Sequence, residues 1–206
     1  ERDYGVAVKV YAVDLSQPGS ALATHKALKG EGIQILVNNA GVGLKGNFFD
    51  DDLLATQQMA HLNMNSLMEL SYYFGNDFRK AGSGKILNVA SVVAFLPGPK
   101  QPVYYASKAF VRSFSRALAY NLSDTGVSVT ALHPGITKTN FFNAANADGF
   151  TGGASPRSVA ELGYKAMMEG RVEVTHGISN KIITNVLSKI VPARLQPKII
   201  DKLSNA

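Results

Sequence analysis

Short β-branched apolar runs alternate with longer stretches of helical periodicity along nearly the whole chain. That alternation constrains the fold more than any other feature. Val6–Val13 reads as a strand, Pro18–Lys29 as a helix that starts near Ser16, and Ile33–Val37 as a continuous apolar run suited to a parallel strand buried on both faces. Residues 51–81 carry apolar residues at helical spacing and stop at Gly82-Ser83-Gly84. Lys85–Ala90 reads as the next strand, Val103–Leu122 as a helix opened after Pro102, and Val127–Leu132 as a further strand. The stretch 139–153 reads as a loop or lid. A helix over 156–169 follows, with Ser155 as N-cap and Pro156 at its first position, then a last strand at Val172–Thr175. Ile178–Val191 and Ala193–Leu203 read as amphipathic helices around Pro192. Strands alternating with helices give a parallel α/β sheet, doubly wound.

In such sheets the ligand site lies beyond the carboxyl ends of the strands. Polar and turn-forming residues collect there: Asp14, Asn38-Asn39-Ala40-Gly41, Ser91, and Pro134-Gly135-Ile136-Thr137. Within the helix after Ser91, Tyr104 and Lys108 are four residues apart and share a face. A neighbouring ammonium favours phenolate, so Lys108 is expected to pull the Tyr104 phenol down toward working pH. A phenol so tuned is a general acid/base, and Ser91 can hold a substrate oxygen. The pair alone decides little. With 8 Tyr and 14 Lys in 206 residues, roughly half a Tyr-x-x-x-Lys arises by chance.

Simpler readings stand beside these. Asp14 can serve as a turn or capping residue, and Asn38-Asn39 as a turn former with Gly41 at positive φ. Asn63 and Asn65 both qualify as the polar residue of the helix before Ser91. His133, just before Pro134-Gly135, reads as structural.

Composition narrows the class. The chain is 46% hydrophobic and 17% charged, which suits one domain over residues 1–206 with a helical lid or tail over 178–206. There is no Cys, and the four His are scattered, so a thiol nucleophile is excluded and a zinc site is not expected. Net charge is +6, and much of the excess lies in the tail. Basic residues are not interleaved with aromatics, so nucleic acid is not an expected partner. No apolar run reaches the roughly 18–20 residues of a membrane span. Contact of residues 178–203 with an anionic membrane surface is the weaker reading; a lid or dimer element is the stronger one. The absence of a signal peptide and of Cys points to the cytoplasm.

Taken together, these residues resemble the short-chain dehydrogenase/reductase family over about residues 1–175. The resemblance rests on Asp14, Asn-Asn-Ala-Gly at 38–41, Asn63, Ser91, Tyr-x-x-x-Lys at 104 and 108, and Pro-Gly-x-x-x-Thr from Pro134 to Thr139. It implies that Tyr104 is the acid/base, and that Lys108 lowers its pKa and hydrogen-bonds the nicotinamide ribose. Ser91 would orient the carbonyl, and Asn63 would anchor a water leading from Lys108 to solvent. Asp14 and Leu15 would flank the adenine, with Asn39, Ala40 and Gly41 beneath the adenosine ribose. Pro134, Gly135, Ile136, Thr137 and Thr139 would bind the nicotinamide amide and pyrophosphate.

The implied activity is NAD(P)-dependent interconversion of a ketone and a secondary alcohol, with NADP preferred and NAD as the alternative. Phe95, Leu96, Phe141, Phe142 and Phe150 would wall an apolar pocket for a hydrophobic or acyl-type substrate. Relatives pair their two long helices, here about 52–81 and 103–122, so a homodimer or homotetramer is expected. A non-catalytic protein that senses cofactor is the alternative.

The family's first strand and its glycine-rich turn, Thr-Gly-x-x-x-Gly-x-Gly, have no counterpart in the sequence. The sheet is therefore expected to lack its first two strands, leaving Val6–Val13 without a neighbour. The polypeptide is expected to carry roughly 45–55 residues before Glu1, the size of one strand-helix-strand-helix segment.

Overall fold

A computed structural model describes residues 4–44, 46–141 and 153–204. Its sheet has four parallel strands: β1 (Ile35–Asn38), β2 (Gly84–Val89), β3 (Val127–His133) and β4 (Glu173–Thr175), in that spatial order. Helices α1 (Ser20–Ala27), α2 (Leu53–Ala60), α3 (Leu67–Ala81), α4 (Pro102–Asn121) and α5 (Pro156–Met168) connect them. This is the α/β architecture that the alternation predicts.

Side-chain alternation on β2 and β3 distributes the core between the two faces. Ile86, Val127 and Val129 pack with Leu70, Phe74 and Phe78 of α3 and with Ala21 of α1. Leu87 and Leu132 pack on the other face against Val159, Ala166 and Met167 of α5, together with Val174. Between α3 and α4 the sheet also carries a polar seam. Asn38 and Asn88 are register partners on adjacent strands. The Asn38 amide donates to Ser71 on α3 and to the Asn88 carbonyl oxygen, while the Asn88 amide donates to Ser115 on α4. Buried polar groups of this kind persist because each has a partner, and the seam fixes both long helices relative to the strand ends.

The stretch between α2 and α3 is π-helical over His61–Ser66. The helix expected over 51–81 is thus continuous but underwound in its middle, where one extra residue widens the turn, a device that re-aims side chains. Ser66 closes the segment by donating to the Leu15 carbonyl. A second π-helical stretch, Ile183–Leu187, lies between α6 (Ile178–Ile182) and α7 (Ser188–Ile190), and α8 (Gln196–Ser204) follows.

Two expectations are corrected. Val6–Val13 forms no strand of the sheet; it runs extended, with Val10 90% exposed, and among the described residues no strand lies beyond β1 to pair with it. The first helix begins at Ser20 with Gly19 as N-cap, because Ser16 is engaged in a turn with Asp14. Ser155 occupies the N-cap of α5 with Pro156 at the first position, as expected, although its hydroxyl makes no capping bond. Ser158 donates to the Ser155 carbonyl instead. The outer edge of β1 is half-open, with Val37 51% exposed. Among the described residues, no helix is long and apolar enough to cross a membrane.

Candidate active site

The carboxyl ends of β2 and β3 and the first turns of α4 converge on one point. Ala90 N–H donates to the Leu132 carbonyl, and Val92 N–H donates to the Pro134 carbonyl, so the two strands stay zipped past their last ladder residues. Ser91 lies in this zipper with extended backbone. It caps a short 3-10 turn, Val92–Phe95, by accepting from Val93 N–H at 3.3 Å. The turn holds the Ser91 side chain at the cleft, where its hydroxyl stands 3.5 Å from the Pro134 carbonyl oxygen and close enough to the Tyr104 phenol to lower its pKa.

Tyr104 and Lys108 project from the first two turns of α4, which Pro102 starts at its N1 position. Both are nearly inaccessible, at 8% and 6% exposure. The Lys108 ammonium donates to the Val89 carbonyl at 3.0 Å and stands 5.9 Å from the centroid of the Tyr104 ring. Spacing and burial thus bring together the three residues that the sequence singles out.

Their electrostatics differ from the expectation. Burial pushes the Tyr104 phenol up to about 12; the nearby Ser91 hydroxyl opposes this and Tyr105 adds to it. Burial likewise pushes Lys108 down to about 8. The expected acidified phenol is therefore corrected. Desolvation dominates both groups, because each loses its hydration and, among the described residues, neither has a carboxylate beside it.

Asn63 comes from the π-helical segment and is buried, whereas Asn65 is exposed. The Asn63 amide group donates to the Val42 carbonyl at 2.9 Å and to Ser107 at 3.1 Å, and its oxygen accepts from Val42 N–H at 3.0 Å. Ser107 donates in turn to the Tyr104 carbonyl. Asn63 thus clamps the loop after β1 to the helix that carries Tyr104. A Cβ on Gly41 would meet Asn63 Oδ1 at 3.1 Å and Lys108 Nζ at 3.4 Å, so the loop backbone passes directly over the lysine.

Asn39 and Ala40 are exposed at the end of β1. Asp14 is exposed, and its carboxylate accepts from Ser16 and Gln17, which lower its pKa; its observed contacts are those of a turn residue. Leu15 packs against the core, and its carbonyl is taken by Ser66. The segment Pro134–Thr139 turns away from β3. Thr137 donates to the Gly135 carbonyl, Ile136 is exposed, and Thr139 Oγ1 accepts from Phe141 N–H. Of the five apolar wall candidates, Phe141 lies against Tyr104 with ring centroids 5.8 Å apart. Phe95 turns instead toward Arg112 and His133, Leu96 is half-buried at the end of its turn, and Phe142 and Phe150 fall outside the described residues.

Two residues escape sequence reasoning. Asn180, at the start of the C-terminal helices, packs on Gly135 so closely that a Cβ there would stand 2.2 Å from its amide nitrogen. His133 is fully buried behind Ser91. Neither carries a local signal, since both contacts join segments more than forty residues apart.

The chain matches the family model described as short chain dehydrogenase over residues 1–149. It is 30% identical over 176 residues to ketoacyl reductase HetN of Nostoc sp., a match spanning 83% of this chain and 61% of that protein. Rat 17-beta-hydroxysteroid dehydrogenase type 3 is 29% identical over 199 residues, spanning 95% of this chain and 63% of that one. The chain therefore covers less than two thirds of the length of either relative. A solved short-chain dehydrogenase from Sphingobium yanoikuyae in complex with NADPH superposes with a TM-score of 0.83 at 27% identity, over 91% of this chain and 75% of that one.

Proposed function

Since the chain belongs to the short-chain dehydrogenase/reductase family, we propose that it is an NAD(P)-dependent oxidoreductase that interconverts a ketone and a secondary alcohol, with Tyr104 as acid/base. The observation that carries this reading is the meeting of Ser91, Tyr104 and Lys108 in one buried cluster at the strand ends.

The residues fit a nicotinamide nucleotide. The Lys108 ammonium has three N–H groups, and the Val89 carbonyl uses one of them. The Gly41 backbone passes within van der Waals reach of that ammonium. Residues 39–41 and 134–139 are the adjoining backbone on which the rest of the nucleotide would lie, with Asp14 and Leu15 at the adenine end. When bound, the reduced nicotinamide supplies the hydride.

The chain's own residues handle the proton. A phenol held near 12 is protonated at neutral pH, which suits donation to a carbonyl oxygen during reduction. Ser91 holds that oxygen by a hydrogen bond. Lys108, near 8, can hold or release a proton close to working pH. Asn63 keeps the Val42 loop and the Tyr104 helix in register, and a water at this clamp would link Lys108 to solvent.

NADP is the preferred cofactor, supported by the basic chain and by the NADPH complex of a relative. A hydrophobic or acyl-type substrate is supported by Phe141 against Tyr104 and by the ketoacyl and hydroxysteroid names of two relatives. Exposed Met68 and Tyr72 on α3 support pairing of the long helices into a homodimer or homotetramer.

The test is nicotinamide absorbance with NADPH and NADH against ketones graded from small and polar to long-chain acyl. Turnover that rises with apolar size and favours NADPH is expected. NADPH binding without turnover of any ketone would replace this reading with that of a cofactor-sensing protein.

A further inference from the structure

Directly behind Ser91 lies a second cluster for which the proposed chemistry has no use. His133 is the last residue of β3 and is wholly buried, with 0% exposure. Its Nδ1 stands 3.3 Å from the Ser91 carbonyl oxygen. A carbonyl can only accept, so Nδ1 carries the ring proton in this arrangement. Ala94 N–H donates to the same oxygen at 3.1 Å from within the 3-10 turn. His133 is thus the second donor, and it ties the turn to the sheet.

The same imidazole holds the other end of the turn. Phe95, its last residue, packs edge-on against the His133 ring with centroids 5.0 Å apart, while the Arg112 guanidinium lies 3.9 Å from the opposite partner, the Phe95 ring centroid. The far side of His133 is set by Glu173 on β4, whose Oε2 is 3.6 Å from Nε2. That separation is too long for a hydrogen bond, and neither Nε2 nor Oε2 has another hydrogen-bond partner among the described residues. Glu173 also receives Arg112 at 3.3 Å and Arg116 at 3.9 Å. The contact with His133, reinforced by the Arg112 charge, holds the Glu173 carboxyl down at about 2 despite partial burial. A carboxylate and an aromatic ring, both engaged by Arg112, therefore flank one buried imidazole. Its remaining polar atom is aimed at the peptide of the residue proposed to hold the substrate oxygen.

We propose that His133 is a positioning residue, cradled by Glu173, Arg112 and Phe95, that fixes both ends of the Ser91–Phe95 turn and thereby sets the Ser91 hydroxyl at the distance from Tyr104 that carbonyl reduction requires. The inference rests on the reductase reading and deepens it. His133 touches neither substrate nor cofactor and acts only through Ser91.

The test is a double-mutant cycle read in kcat, with NADPH affinity measured separately by fluorescence. His133→Leu removes the donor and should lower kcat about tenfold or more, leaving the NADPH dissociation constant within about twofold. In His133→Asn the side-chain amide can replace Nδ1–H, so kcat should return to within about threefold of wild type. In a Ser91→Ala background, where there is no hydroxyl to place, His133→Leu should cost less than about twofold more, a non-additive outcome. Full additivity in that background, or His133→Asn no better than His133→Leu, would overturn the proposal.

A second measurement needs neither turnover nor a folded variant. Nitrogen NMR of the wild-type His133 imidazole should show Nδ1 protonated; a ring protonated at Nε2 alone would overturn the proposal. If the wild-type protein binds NADPH but reduces no ketone, the reductase reading fails, and the imidazole spectrum still decides whether His133 grips the Ser91 peptide.

Discussion

Lys108 and Arg112 occupy successive turns of one face of α4, yet they live in opposite electrostatic worlds. Arg112 meets a carboxylate, Glu173, and the pair stays ionic, with the acid held at about 2. Lys108 is almost as deeply placed as any residue in the core, but its observed partner is the neutral Val89 carbonyl, and burial brings it down to about 8. A neutralised charge makes a fixed strut, whereas a buried cation with no counter-ion among the described residues makes a group ready to give up its proton. One turn of helix separates a structural cation from a reactive one, and what distinguishes them is whether an acid stands opposite.

The first way to break this contrast is to remove the phenol oxygen beside the reactive cation. Tyr104→Phe should lower ketone reduction by about 10³-fold, with the NADPH dissociation constant nearly unchanged and the far-UV spectrum intact; loss within tenfold would take Tyr104 out of the proton transfer. Next comes the cation itself. Lys108→Met should lower reduction by about 10²-fold and yet stabilise the fold. The folded pKa of about 8 lies below the ordinary lysine value of 10.5, so the native state pays a protonation penalty at and below pH 8 that fades between pH 8 and 10.5. Removing it should raise unfolding free energy at pH 7 by on the order of 2–3 kcal/mol in urea titrations.

A smaller effect sharpens the comparison without mutation. Reduction rates should decline as pH rises through about 8, where Lys108 loses its proton, and Lys108→Met should flatten that limb. The smallest effect belongs to the strut. The carboxyl of Glu173 is depressed from 4.5 to about 2, so its contribution is complete above pH 4.5 and disappears as pH falls toward 2. Glu173→Gln should abolish that acid-sensitive component, on the order of 1 kcal/mol once solvent screening of a partly exposed carboxylate is allowed for, as read from thermal melts across pH 2–6.

Much of this geometry is legible in the amino-acid order, and the illegible part has a physical cause. Four parallel strands and five of the helices follow from periodicity, and the cluster at Ser91, Tyr104 and Lys108 follows from spacing plus position at strand ends. The direction of the Tyr104 shift does not, because an i, i+4 relation tells that two groups are close and says nothing of how much water they keep. The π-helical turn at His61–Ser66 carries no Pro or Gly to announce it; it is imposed by the Asn63–Val42 clamp and the Ser66–Leu15 bond. His133 reads as structural in sequence. Its grip on Ser91 exists only because β2 and β3 lie side by side and bring together residues 42 positions apart.

The reactive member of the pair can be watched directly. In protein labelled with carbon-13 at lysine Cε, with Lys108→Arg used to assign the signal, the Lys108 resonance should titrate with a midpoint near 8. A midpoint at the ordinary lysine value, near 10.5, would mean that the ammonium is neither desolvated nor poised, and the contrast with Arg112 would vanish.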